Sequence, residues 1–202
     1  MLTDTLEKTS KLDRASLFSV LNDLGQHLAE QGVTMEIALY GGAAIMMHFE
    51  KDRDSTSDID YVLRGNTKSV LNDAINDIGH KHCLGGNWMN DAVEIFVAPN
   101  ANHLHMGDFP RDGECGLRVY AASPEFLLAL KVMSARCSLT TKDWQDIWNL
   151  ADHLGIKDAG TCVEIARTYD PEFTLDTHKM LRLEDLFTNK ALGKSYNPMD
   201  YY

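Results

Sequence analysis

The stretch that most restricts what this chain can fold into is residues 39–63, LYGGAAIMMHFEKDRDSTSDIDYVL. Upstream, Met35-Glu36-Ile37-Ala38-Leu39-Tyr40 reads as a strand. Gly41-Gly42 breaks it, and the compact run Ala43 to Phe49 predicts a short buried helix. A polar loop follows over 50–57. Asp58-Ile59-Asp60-Tyr61-Val62-Leu63 then predicts a second strand. Side chains alternate along a strand, so Asp58 and Asp60 are expected on one face, roughly 6.5–7 Å apart at their Cα atoms. Two carboxylates that close repel each other unless a cation lies between them.

The chemistry suggested by this order is specific. Mg²⁺ takes oxygen ligands and leaves positions for phosphate oxygens, so an Asp-x-Asp at a strand edge suits it. Without Cβ atoms, Gly41-Gly42 lets backbone approach a phosphate closely. The helix after it offers N–H groups and the positive end of a dipole. Arg53, or Ser55 to Ser57, is placed to reach further phosphate oxygens from the loop. A third carboxylate would complete a two-metal arrangement. Glu94, on a third strand expected at Val93-Glu94-Ile95-Phe96-Val97, is the first candidate, with Asp91 in reserve.

The rest of the chain sorts into an α/β (α+β) part and a helical part. Leu17, Val20, Leu21, Leu24 and Leu28 recur at helical spacing, and Gly32 is the expected C-cap. A second amphipathic helix is expected over 66–78. A loop is expected over 100–113, which puts His103 and His105 in solvent. Leu117 to Tyr120 predicts a short fourth strand. From Ser123-Pro124, a good N-cap and first helical residue, the pattern is helical. Further helices are expected after Thr140 or Thr141, over 159–168 and over 181–190. The expected organisation is therefore an α/β core over 1–121, with a small mixed sheet, and a helical lobe over 122–202.

Composition bounds the partners. The 202 residues carry a formal charge of −11, with 44% hydrophobic and 24% charged residues. Such a chain folds without staples, and its acidity makes it a poor non-specific binder of nucleic acid. The four cysteines are scattered, the N-terminus is polar, and no 18-residue apolar run exists, so the expectation is a cytoplasmic protein without a membrane span. The run His80, His82, Cys83 does not have the spacing of a usual structural zinc site. Trp88 is expected to pack on the sheet, and Trp144 and Trp148 in the core.

LYGGAAIMMHF followed by RDSTSDIDYVL resembles the signature of the DNA polymerase β nucleotidyltransferase superfamily. More narrowly, it resembles the toxin-type branch of abortive-infection AbiEii and MenT-like enzymes. SPEFLLALKVMSAR and KDWQDIWNL resemble that branch's two later motifs, so the likeness spans roughly residues 36 to 155. The resemblance implies that Gly41 and Gly42 hold an NTP, which Arg53 and Ser57 of the loop are placed to help bind, with Asp58 and Asp60 binding Mg²⁺. It implies that Lys131 contacts phosphate, and that Asp143 or Asp146 supports the base, or the metal and Lys131. The implied reaction transfers a nucleoside monophosphate to a tRNA 3′ end or a protein hydroxyl and releases pyrophosphate. A cognate toxin or antitoxin is the implied partner. Two other readings stay open: an antitoxin-like enzyme that nucleotidylates a partner protein, and a non-catalytic nucleotide-binding module. Many superfamily members have Gly-Ser where this chain has Gly41-Gly42.

Overall fold

The computed structural model describes residues 11–49, 53–65, 68–136 and 142–198. The described part of the chain is mixed α/β and divides into two compact units, Met1–Ile95 with His103–Ala122, and Phe96–Asn102 with Ser123–Tyr202.

The first unit holds a five-stranded mixed sheet. Its strands are β1 (Met35–Leu39), β2 (Ile59–Leu63), β3 (Met89–Asn90), β4 (His103–Phe109) and β5 (Leu117–Ala122), in the spatial order β3-β2-β1-β5-β4. β1 runs parallel to β5 and antiparallel to β2, β3 runs parallel to β2, and β4 runs antiparallel to β5. Three helices complete the unit: α1 (Arg14–Glu30), α2 (Gly41–His48) and α3 (Lys68–Lys81).

Strand alternation gives the sheet two unlike faces. Met35, Ile37, Leu39, Ile59, Tyr61, Leu117, Val119 and Ala121 are buried and lie on one of them. α1 contacts β4 and β5 and presents Leu17, Val20, Leu21, Leu24 and Leu28, all 1% exposed or less. Asp13 caps α1 by accepting the Ser16 N–H. The opposite face carries Glu36, Tyr40, Asp60, Arg118 and Tyr120, and is polar.

Three elements differ from the sequence-based expectation. The third strand expected at 93–97 is a 3-10 helix, Ala92–Phe96. The Asn90 side chain accepts the Ala92 N–H at 3.2 Å, and the Asp91 carbonyl accepts the Glu94 N–H at 3.0 Å. This turn winds the chain before its β-prone residues can pair. Ile95 is left 84% exposed. The strand beside β2 is instead the two-residue β3. The expected loop over 100–113 contains β4, which puts His103 and His105 on a strand. Its low β propensity is overridden by pairing along β5, with an irregularity between His105 and Gly107.

The second unit is helical: α4 (Pro124–Ser134), α5 (Asp143–His153), α6 (Ala159–Tyr169) and α7 (Thr177–Ala191). Ser123, Asp158 and Asp176 cap α4, α6 and α7 through their side chains. α5 starts after Lys142 with no side-chain cap; Thr140 and Thr141 lie outside the described residues. The last helix is longer than expected because Asp176 starts it four residues early.

Replacing Leu21, wholly buried on α1, with Ala is expected to remove about 2–5 kcal/mol of stability, read from urea unfolding midpoints at unchanged m-value.

Candidate functional site

The site builds outward from Gly41. This residue has φ +56, in the left-handed region, where an L side chain is strained. A Cβ placed there would overlap the Asp60 carboxylate oxygen Oδ2. At Gly42, a Cβ would come within 2.6 Å of both Arg53 Nε and Thr56 Oγ1. Both glycines are therefore the surface against which an acid and a cation pack.

β2 and α2 hold this arrangement. The Tyr40 N–H donates to the Asp60 carbonyl at 2.9 Å, which locks the end of β1 to the strand carrying Asp60. Tyr40 caps α2 by position but gives it no side-chain cap, and Ala44 N–H makes an intrahelical bond back to the Tyr40 carbonyl. The positive end of the α2 dipole thus meets the Asp60 carboxylate. Arg53 Nε donates to the Ser55 carbonyl at 3.2 Å, and Thr56 Oγ1 donates to the Asp58 carbonyl at 3.1 Å. Ser57 Oγ donates to Asp58 Oδ1 at 3.2 Å. Gly41, Gly42, Arg53, Ser57, Asp58 and Asp60 so form one connected cluster. Thr56, only 2% exposed and within the run Ser55 to Ser57, joins it.

The sheet register extends this cluster along the polar face. Leu39 pairs with Tyr61 and with Ala121, so the next row is Asp60, Tyr40 and Ala122. Asn90 pairs with Asp60 at one end of that row, and His103 pairs with Ala122 at the other. Tyr40 Oη and His103 Nε2 lie 2.6 Å apart. Burial pushes the Tyr40 phenol up to about 12, opposed by the Arg64 charge. Burial, then the same charge, pushes the His103 imidazole down. The bond therefore joins two neutral groups near pH 7. The signal that could have found His103 and His105 is their i, i+2 spacing, which Gly107 obscures.

No family model matches this sequence, and no curated protein matches it. Among solved structures, the chain is similar to an antigenic nucleotidyltransferase-like protein from Paracoccidioides brasiliensis. The identity is 16% and the TM-score 0.44, over 87% of this chain and 96% of that one.

The remaining expected residues fall elsewhere. Glu94 stands on the 3-10 helix, and its charge acts on Tyr61 and Lys68. Tyr61 alternates to the face opposite Asp60. Asp91 forms an ion pair with Lys68. Among the described residues, no three His, Cys, Asp or Glu side chains form a metal-holding group. His82 instead pairs with Asp23 at 2.6 Å, and Trp88 is core, its Nε1 donating to the Ile75 carbonyl at 3.2 Å.

In the second unit, Lys131, Asp143 and Asp146 come together. Lys131 Nζ lies 3.0 Å from Asp143 Oδ1 and 2.9 Å from Asp146 Oδ2. Arg136 Nε adds a contact to Asp143 Oδ2 at 3.3 Å. Asp146 is 1% exposed and Asp143 5%. Burial alone would raise the Asp143 carboxyl, but the Lys131 charge and hydrogen bond, with help from Arg136, outweigh it and hold it low.

Two outcomes are expected. Gly41→Ala forces a left-handed Ala against Asp60 and costs about 1–2 kcal/mol from backbone conformation alone, measurable by urea unfolding. Lys131→Met removes the ammonium that two buried carboxylates share and costs about 3–5 kcal/mol. The depressed Asp143 gives wild-type stability that is present above the ordinary carboxylate range and lost as pH falls through its lower folded value. In Lys131→Met that contribution is gone, so the loss of stability on acidification is smaller than in wild type, which an acid titration of the unfolding midpoint reads.

Proposed function

We propose that this chain is a Mg²⁺-dependent nucleotidyltransferase that moves a nucleoside monophosphate from an NTP to a hydroxyl acceptor and releases pyrophosphate. The observation that carries the reading is the Gly41–Asp60 contact. A glycine that must lack a Cβ, in a left-handed turn at the start of a helix, holds the second acid of an Asp-x-Asp pair.

The donor set fits Mg²⁺. Asp58 and Asp60 supply hard carboxylate oxygens, and one or two carboxylates plus substrate phosphates is the usual protein share of such a site. The fit therefore does not depend on Glu94. Bound there, Mg²⁺ would offset phosphate charge and acidify the attacking hydroxyl.

The chain's own residues do the rest by position and charge. The helix end that begins at Gly41-Gly42 favours anions, and the missing Cβ atoms let a phosphate approach the backbone. Arg53, packed against Gly42, places a second positive charge beside that turn. Ser57 and Thr56 orient Asp58, the former through its carboxylate and the latter through its carbonyl. Lys131 and Asp146 belong to the second unit, and the reading does not depend on them. In this reading the acceptor is the 3′ hydroxyl of a tRNA, and the setting is a toxin–antitoxin or phage-defence pair. Both rest on the resemblance of the sequence motifs.

The test incubates the protein with each α-³²P-labelled NTP, Mg²⁺ and a cytosolic extract, then separates RNA from protein. Label is expected in small RNA. Asp58→Asn and Asp60→Asn are each expected to lower transfer by at least about a hundredfold, beyond the 10–100-fold usual for outer-shell residues. Label in a protein band supports a protein acceptor instead. Undiminished transfer by either variant rejects the assignment of that residue, and no label in any fraction rejects the enzyme.

A further inference from the structure

The polar sheet face does not end at Asp60. Two residues along it, roughly 6.5–7 Å away, lies a second row: Val62, Ala38, Tyr120 and His105. A third row follows. The Arg64 N–H donates to the Glu36 carbonyl at 2.8 Å, Glu36 pairs with Arg118, and Arg118 pairs with Asp108. In that third row the charges are matched. Arg118 Nη1 lies 2.8 Å from Glu36 Oε1 and its Nε lies 3.2 Å from Asp108 Oδ1.

Arg64 is different. It is exposed, just beyond β2, and among the described residues it has no acid partner. Its guanidinium lies over the Tyr120 ring, 4.2 Å from the centroid. To reach that ring from β2 it crosses β1, where the small Ala38 leaves room. The His105 ring meets Tyr120 edge-on at 5.4 Å, and His105 itself is tied to Asp108 by a 2.8 Å bond. The Arg64 charge also acts on both Tyr40 and His103, the pair in the Asp60 row. The result is a planar cation held over an aromatic ring at an exposed position, on the same face as Asp60.

A guanidinium held over a ring can take a second π-face on its other side, and does so without an anion. Nucleobases are such faces, and Arg planes and aromatic rings are how proteins take single bases without reading sequence. We propose that the Arg64–Tyr120 stack, edged by His105, is a nucleobase seat. The nucleotide identity of its ligand rests on the transfer reading above. The base comes either from the donor NTP or from the terminal residue of an RNA acceptor. The matched charges of Arg118, Glu36 and Asp108 supply no stripe for a long phosphate backbone, so the seat holds one base rather than a strand.

The test measures binding to the full chain of three probes, each with Mg²⁺: tripolyphosphate, which has no base, each of the four NTPs, and a short single-stranded RNA with a free 3′ hydroxyl. Arg64→Ala and Tyr120→Leu are expected to weaken the NTP or the RNA roughly tenfold, within the range that base–aromatic stacking gives. Tripolyphosphate binding stays unchanged, and Tyr120→Phe, which keeps the ring, binds as wild type. Loss confined to NTP places the donor base in the seat, and loss confined to RNA places the acceptor base there. The proposal is overturned if both variants bind NTP and RNA as tightly as wild type. It is also overturned if tripolyphosphate binding falls in parallel, or if wild type binds neither base-bearing probe. Equal melting temperatures of Arg64→Ala and wild type exclude misfolding as the cause. A wild-type protein that binds base through Arg64 yet transfers no label fails the enzyme reading and keeps the seat.

Discussion

The contact on which the first unit's chemistry depends is an absence, the missing side chain of Gly41. Asp60 Oδ2 occupies the volume a Cβ would take. That occupancy fixes three things at once. It sets a left-handed turn at the end of β1, it starts α2 directly after that turn, and it holds a carboxylate against the helix's positive end. A side chain would have to displace the acid, the helix or the strand. Gly42 repeats the logic with a cation, since Arg53 and Thr56 fill the space beside it. An acid and a base are thereby held on adjacent residues of one turn, which side chains alone arrange only with long, entropy-rich reaches.

Much of this was legible because each feature is local. The Gly-Gly break, the short apolar helix and the Asp-x-Asp strand are contiguous in sequence, so spacing and alternation carry them. The elements that escaped are set by non-local or side-chain effects. Val93 to Val97 has strand composition, yet Asn90 and Asp91 offer local acceptors that turn the chain first. His103 to Phe109 has loop composition, yet β5 supplies a partner along most of its length. The same two effects hid Tyr40, His103, Arg64 and Tyr120 as a group, because they come from, or lie just beyond, four separate strands. Only the register brings them onto one face.

The second unit illustrates a different balance. Asp143 and Asp146 fall in the first turn of α5, where the helix dipole favours acids, and that reading needs no function. Their burial changes the argument. A carboxylate 1% exposed is costly unless paired, and Lys131 from α4 supplies the pair for both. A lysine on an otherwise apolar stretch of α4 is explained by this demand alone. Two acids sharing one ammonium still leave a negative excess, which Arg136 offsets from a more exposed position. The arrangement ties α4 to α5 through charge where packing alone would suffice elsewhere in the unit.

Charge placement would also reconcile an acidic chain with the proposed phosphate-bearing substrate. A net charge of −11 opposes polyanions at long range, but screening confines that opposition to about 10 Å at ordinary ionic strength. In the proposed reading, binding would be decided by the local set: the α2 end, Arg53, and a cation held by Asp58 and Asp60. Along the polar face the pairing is graded. Arg118 is neutralised by Glu36 and Asp108, whereas Arg64 is held by an aromatic ring and keeps its full charge. A ring holds a guanidinium in place without cancelling its charge, and so leaves one face of it available. That is the physical difference between a surface arginine that closes a salt bridge and one that can take a ligand.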